Sequence, residues 1–370
     1  MSVTWRQPRA DRIFVLALAL LVMFGLVVLA SASAPLGYAK FQDAYWFIKR
    51  QALFGLLPGF LAFTVLSRVP YRTLARGSVL WYAGALLLLV LVFVPGLGTA
   101  LHGSRSWLSI FGYYLQPVEF MKLALVIILA SLLAAGRPRG PASNQRLIWS
   151  LAAIALPLIF ILWQPDAGGA LILAAVSLTI LYLARVPARI LAGLFLVGLA
   201  GLAGLVWTAP YRLQRFATFL HPERDPQGVG YQISQAFIAV GSGGWWGLGL
   251  GNSRQKFQYL PEVNADSIFA VVGEELGFII SALLVALITF LGWRGLTIAK
   301  HARDELGTLL AGGLTAWLVL QSYLNIGAMV GALPLTGVPL PFVSHGGTAL
   351  LTALAAAGII VNVSRYSRAA

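Results

Sequence analysis

Apolar residues run along this chain in long blocks, broken by short polar or basic connections and by one long polar stretch. Several blocks exceed the ~18–20 residues that an α-helix needs to cross ~30 Å of hydrocarbon. The pattern predicts an all-α polytopic membrane protein of about ten transmembrane helices. The predicted spans are 13–33, 49–67, 78–95, 117–136, 147–163, 169–184, 189–208, 267–291, 307–333 and 348–363. The first block, Ile13 to Ala32, is long for a secretory signal and more blocks follow, so it reads as a retained span. Pro58 falls inside the second, where neighbouring groups must satisfy the carbonyl its ring leaves free. The whole chain, 1–370, reads as a single integral membrane domain with one large loop over 209–266, between the seventh and eighth spans. Ala209 to Phe278, the loop and the start of the helix after it, is where the chemistry is concentrated.

Charge orients the spans. Only 10% of the residues are charged, against roughly 25% in soluble domains. The basic residues of the short connections, among them Arg68, Arg72, Arg76, Arg137, Arg139, Arg185, Arg294 and Lys300, fall on the side that holds the N-terminus. By the positive-inside rule both termini face the cytoplasm, and the 209–266 loop is extracytoplasmic. The net charge of +14 is therefore mainly a topology signal and does not indicate nucleic acid. The absence of cysteine excludes disulfides, thiolate nucleophiles and Cys-ligated metals.

Polar groups inside apolar spans are costly and usually face protein or water. Lys122 lies about 7.5 Å into the fourth span, with Glu119 three residues before it on the same face. A lone ammonium there would tend to lose its proton, so Glu119 and one of Glu274 or Glu275 are its expected partners. On a straight eighth span Glu274 lies about 12 Å below Asp266, within reach of Lys122. Asp266 opens that span, either as a helix N-cap or as a functional carboxylate. Gln321 and Asn325 share a face of the ninth span, Asn325 near its outer end. The following loop carries His345 and two glycines that lead into the last span, suited to backbone contact with an anion. Glu119, Lys122, Asp266 and Asn325 thus gather at the outer end, as an outward-opening polar cleft requires.

Six stretches resemble one family. They are HGSRSWLSI (102–110), QPVEFMK (116–122), QPDAGG (164–169), YRLQRFATFLHPERDPQGVGYQ (211–232), GLGLGNSRQKFQYLPEVNADSIFAVVGEELG (247–277) and NIGAMVGALPLTGVPLPFVSHGG (325–347). In this order they are similar to the SEDS proteins FtsW, RodA and SpoVE, the polytopic peptidoglycan glycosyltransferases, over nearly the whole chain. GLGLGNSRQKFQYLPE looks like the FtsW branch and LTGVPLPF like RodA; the balance leans to FtsW. The chain departs from the family pattern at Val118, at Asn264 and Ala265 before Asp266, at Ser267 after it, and at His345.

The resemblance implies polymerisation of lipid II, the undecaprenyl-pyrophosphate-linked disaccharide pentapeptide, at the outer face of the bacterial cytoplasmic membrane. It implies a class B penicillin-binding protein as partner, a role in division or elongation, and Asp266 as the essential carboxylate. Such chemistry needs a base for the attacking hydroxyl, for which Asp266 is placed. It needs cations for the pyrophosphate, for which Arg105, Lys122, Arg212 and Arg215 are candidates. Arg212 and Arg215 also fit ordinary headgroup contacts. Glu119, Glu262, Glu274, Glu275, Asn325 and His345 are supporting groups. A divalent cation, Mg or Mn, is a further source of positive charge, with no metal ligands singled out. A lipid II flippase and a non-catalytic scaffold for a penicillin-binding protein are the alternatives.

Overall fold

The computed structural model describes residues 10–101, 104–110, 112–134, 141–208, 218–219, 221, 225 and 228–367. Helix α1 (Arg12–Phe41) starts at Asp11, whose carboxylate accepts the Phe14 N–H at 2.9 Å. It runs past its predicted end and stops only at Gln42, which takes a left-handed φ of 55°. The second predicted span is α2 (Trp46–Gln51), a π-helical turn over Ala52–Leu56, and α3 (Leu57–Leu66). The wider turn comes directly before Pro58, whose ring removes a donor from the ladder. After α4 (Tyr71–Arg76) and α5 (Ser78–Leu91) the chain leaves the all-α pattern. Strands β1 (Gly98–Leu101), β2 (Ser104–Ile110) and β3 (Tyr113–Leu115) form an antiparallel sheet in the order β1-β2-β3. Here a purely helical expectation is corrected: Ser106 and Leu108 are buried and alternate with more exposed neighbours, a period of two rather than 3.6.

The remaining helices are α6 (Pro117–Leu133), α7 (Pro141–Trp163), α8 (Ala167–Leu183), α9 (Ala188–Thr208), α10 (Val229–Ser242), α11 (Ile268–Lys300), α12 (Glu305–Met329) and α13 (Gly347–Arg365). Helix α10 lies within what reads in sequence as loop. Among the described residues, five helices are long and apolar enough to cross a membrane: α1, the Asn144–Trp163 part of α7, α11, α12 and α13. Helices α5, α8 and the Ala188–Gly201 part of α9 are apolar but shorter.

Helices α6, α12 and α13 have the largest share of their residues buried and form the centre, with Met121, Leu125, Leu314, Trp317 and Ile360 in one core. Gly55 and Gly59 let this centre meet α3, their missing side chains leaving room for Gly347, Leu351 and Leu354. At the end holding the N-terminus, Arg294 donates to Asp11 at 2.8 Å and Arg72 to Asp304 at 2.7 Å. The Asp11 N–H meets Ser364 at 3.0 Å and the Tyr71 N–H meets Asn362 at 3.0 Å, so these polar contacts tie α1, α4, α11, α12 and α13 together.

Candidate active site

At the opposite end, Asp266 closes a run of tight turns that begins at Ser253. Glu262 holds a left-handed φ of 52° and its carbonyl accepts the N–H groups of Ala265 and Ser267 at 2.9 and 3.1 Å. Three successive carbonyls are then tied down from elsewhere. Asn264 accepts the His345 N–H at 2.7 Å, Ala265 the Ser344 hydroxyl at 2.5 Å, and Asp266 the Asn325 amide at 2.7 Å. Gln51 completes the frame, accepting the Gly346 N–H at 2.9 Å and donating to the Ser344 carbonyl at 3.2 Å. The backbone of Asp266 is thus fixed by α2, α12 and the loop before α13.

Its carboxylate, by contrast, is lightly held. Gln232 of α10 reaches Oδ1 only at 3.4 Å and the Ser267 hydroxyl only at 3.5 Å. The side chain is half-buried, and the residue at the N-cap of α11 is Ser267, so Asp266 is not the helix cap. Burial, and then the charge of Glu262, push its pKa up to about 7. A carboxyl poised there accepts a proton at neutral pH more readily than an ordinary aspartate.

Lys122 is buried and its ammonium donates to Glu119 and to Gln321, both at 2.7 Å, 5.2 Å from the centre of the Trp317 ring. Gln321 passes the contact on: its Oε1 also accepts the Trp317 indole N–H at 2.9 Å, and its Nε2 donates to the Pro339 carbonyl at 2.9 Å. One turn along α12, Asn325 donates to the Val338 carbonyl at 2.8 Å as well as to Asp266. The i, i+4 pair seen in the sequence therefore anchors the 338–339 backbone and links the lysine cluster to the Asp266 turn.

Glu119 is a partner of Lys122 as expected; Glu274 and Glu275 are not. The cause is a break in α11. Gly277 adopts φ 74° and ψ −175°, so the helix is two segments rather than one straight span. The 244–249 backbone supplies the hydrogen bonds the break removes. Leu248 and Gly249 donate to the carbonyls of Glu274 and Glu275 at 3.0 and 2.9 Å, and Phe278 donates to Gly244 at 2.9 Å. A side chain on Gly277 would run into the backbone of Trp245, Trp246 and Gly247. The bend turns both glutamates away from α6: Glu274 accepts from the N–H groups of Arg254 and Gln255, and Glu275 from Lys256 and Ser31.

The expected cations divide. Arg105 is exposed on β2, and Arg212 and Arg215 lie outside the described residues. A cation not singled out from the sequence, Arg50, stands 4.5 Å from the Trp46 ring and 5.2 Å from that of Tyr113. His345 meets Phe47 edge to face at 5.1 Å; burial and the Arg50 charge push its pKa down to about 4, so it is neutral at pH 7. Gln232, Ser344 and Gln51 were also missed, because polar residues at helix ends resemble ordinary caps and turns. Among the described residues no three His, Asp or Glu side chains gather in one place.

Known proteins resemble this chain in sequence and overall fold. The family model described as "Cell cycle protein", covering FtsW, RodA and SpoVE, matches residues 11–369. Stage V sporulation protein E of Bacillus subtilis (strain 168) is 40% identical, the match covering 99% of this chain and 100% of that protein. The probable peptidoglycan glycosyltransferase FtsW of Geobacter sp. (strain M18) is 36% identical over 97% of this chain and 98% of its own length. Among solved structures, one described as "Structural coordination of polymerization and crosslinking by a peptidoglycan synthase complex" superposes with a TM-score of 0.76 at 28% identity, covering 96% of this chain and 98% of that one. The rod shape determining protein RodA of Thermus thermophilus gives 0.70 at 27% identity, covering 96% and 97%. A family match over almost the entire chain, close relatives of the same length and a shared fold lead to one conclusion: the chain belongs to the FtsW/RodA/SpoVE family.

Proposed function

We propose that this protein is a peptidoglycan glycosyltransferase that polymerises lipid II at the outer face of the bacterial cytoplasmic membrane, with Asp266 as general base. The observation that carries this reading is a half-buried carboxylate, pushed up to about 7, on a backbone tied at three successive carbonyls. In the reaction a sugar hydroxyl of one lipid II attacks the anomeric carbon of another. Its oxygen forms the glycosidic bond, its proton passes to Asp266, and the bond to pyrophosphate breaks as the lipid pyrophosphate leaves with the electron pair. Arg105, Lys122, Arg212 and Arg215 are the proposed sources of positive charge for that leaving group. Lys122, held by Glu119 and Gln321, acts from within its buried cluster.

Heights along the helices support an outer-face site. Ser31, which touches Glu275, stands about 28 Å from the start of α1, and Asn325, which touches Asp266, about 30 Å from the start of α12. Both values match the ~30 Å hydrocarbon thickness. In this reading Ile268–Leu276 lies along the outer boundary, and Phe278–Lys300, about 34 Å long, crosses the membrane alone. The ten-span, N-in and C-in topology of one integral domain, with 209–266 outside, follows the same frame.

The relatives named FtsW are called peptidoglycan glycosyltransferases, and the synthase complex joins polymerisation to crosslinking. A class B penicillin-binding protein is accordingly the proposed partner, in division or elongation, with the FtsW-like motifs favouring division. The test is purified protein in liposomes with labelled lipid II, with and without that partner. Glycan ladders that vanish in Asp266→Asn are expected. Lipid movement without polymer would support a flippase instead, and inactivity with the partner present would support a scaffold.

A further inference from the structure

Lys256 takes no part in the chemistry assigned to Asp266, yet its side chain is only 4% exposed. Its three N–H donors meet three acceptors: Glu275 Oε1 at 2.7 Å, the Gly251 carbonyl at 2.7 Å and the Ser31 hydroxyl of α1 at 3.2 Å. Ser31 donates in turn to Glu275 at 2.7 Å. Beside this group, Glu274 accepts from the Ser253 hydroxyl and from the Arg254 N–H at 2.9 Å, and the Lys256 N–H donates to Ser253 at 3.1 Å. Two carboxylates at the bend of α11 therefore clamp residues 253–256 and join them to α1.

The clamped residues are the near end of the segment whose far end is Asp266. Between the two ends, the Leu260 N–H bonds to Gln255 at 2.9 Å, and Gln258 and Glu262 both take left-handed φ values. Such backbone persists only where the surroundings over-determine it. A buried ion pair is a weak source of stability compared with apolar side chains of similar volume, but it is strongly directional. We propose that Lys256 and Glu275, braced by Ser31, are positioning residues: they fix the near end of the 253–267 segment and so aim the Asp266 carboxylate at the reacting hydroxyl. This rests on Asp266 being the base.

The test measures kcat and KM for lipid II polymerisation, with thermal midpoints, in the full-length protein. Lys256→Met should lower kcat about tenfold or more with KM nearly unchanged, because misaimed groups lose rate rather than affinity. Lys256→Arg should retain kcat within about threefold, since it restores the charge and the donors. The double variant Lys256→Met with Glu275→Gln strands no charge, so its midpoint should return toward wild type while kcat stays low. Recovery of kcat together with stability would make the pair a packing element and overturn the proposal. Ser31→Ala keeps both charges paired and gives an arm independent of either change. A fall in kcat of about threefold is expected there, and an unchanged kcat would also overturn the proposal. The two readings fail separately: polymerisation by Asp266→Asn removes the base, whereas wild-type kcat in Lys256→Met, with Asp266→Asn inactive, removes only the positioning role.

Discussion

The Asn325 amide donates to the backbone carbonyl of Asp266 at 2.7 Å and to that of Val338 at 2.8 Å, so one side chain on α12 joins the proposed base to the loop before α13. Asn325→Ala should lower polymerisation by about ten- to a hundredfold, because it frees the turn that aims the carboxylate. It also leaves two carbonyls short of a donor, at about 1–3 kcal/mol each, so the thermal midpoint should fall as well. Wild-type activity in the purified variant would show that the turn is held without this amide.

Asp266→Asn should abolish glycan synthesis while the protein still inserts and purifies. The pH dependence supplies a second check. With the folded pKa raised to about 7, the active, deprotonated form accumulates as pH rises, so the rate should climb through about pH 7 and then level. The linkage sign is opposite for stability. Between the ordinary aspartate pKa of 3.8 and about 7 the folded state holds a proton that the unfolded state has lost, so stability declines with rising pH across that window. Above it, Asp266→Asn should melt higher than wild type. A rate midpoint near 4 would argue that Asp266 sits in water.

Lys122→Met should destabilise the protein by about 3–5 kcal/mol, since it strands the Glu119 carboxylate in the core. Adding Glu119→Gln should recover part of that loss, whereas adding Glu274→Gln or Glu275→Gln should not, because those glutamates serve other donors. Thermal midpoints of the three double variants decide it; recovery with Glu275→Gln would contradict the observed pairing.

Gly277→Ala should cost stability and activity together. Its φ of 74° disfavours any side chain, and the backbone of Trp245, Trp246 and Gly247 fills the space a methyl would need. We expect a loss of more than about 1 kcal/mol by thermal melting, with faster amide exchange in 244–249. Unchanged exchange would mean that the strap and the bend are independent.

Hydropathy alone determined the apolar helices, because apolar run length is a property of neighbouring residues. The Pro117 start of α6, the Glu119–Lys122 pair and the shared face of Gln321 and Asn325 were legible for the same reason: each follows from helical spacing within one segment. The position of Asp266 just before a helix was legible too, and the motif around it pointed to the family.

What only the tertiary structure decided is which buried charges meet. Reckoning along a straight eighth span paired Lys122 with Glu274 or Glu275; the chain bends at Gly277 and gives them Ser253, Arg254 and Lys256 instead. Nothing local in the sequence fixes that bend, since a lone glycine is tolerated within a helix and its left-handed turn becomes favourable only when other backbone replaces the lost hydrogen bonds. That backbone is the 244–249 segment, brought there by folding. The same holds for Asp266, whose side chain is named by sequence but whose raised pKa comes from burial and the Glu262 charge, and whose backbone is held by Asn325, Ser344 and His345 on other elements. Helix formation is a short-range property of the chain, whereas burial and hydrogen-bond partnership depend on which segments pack together.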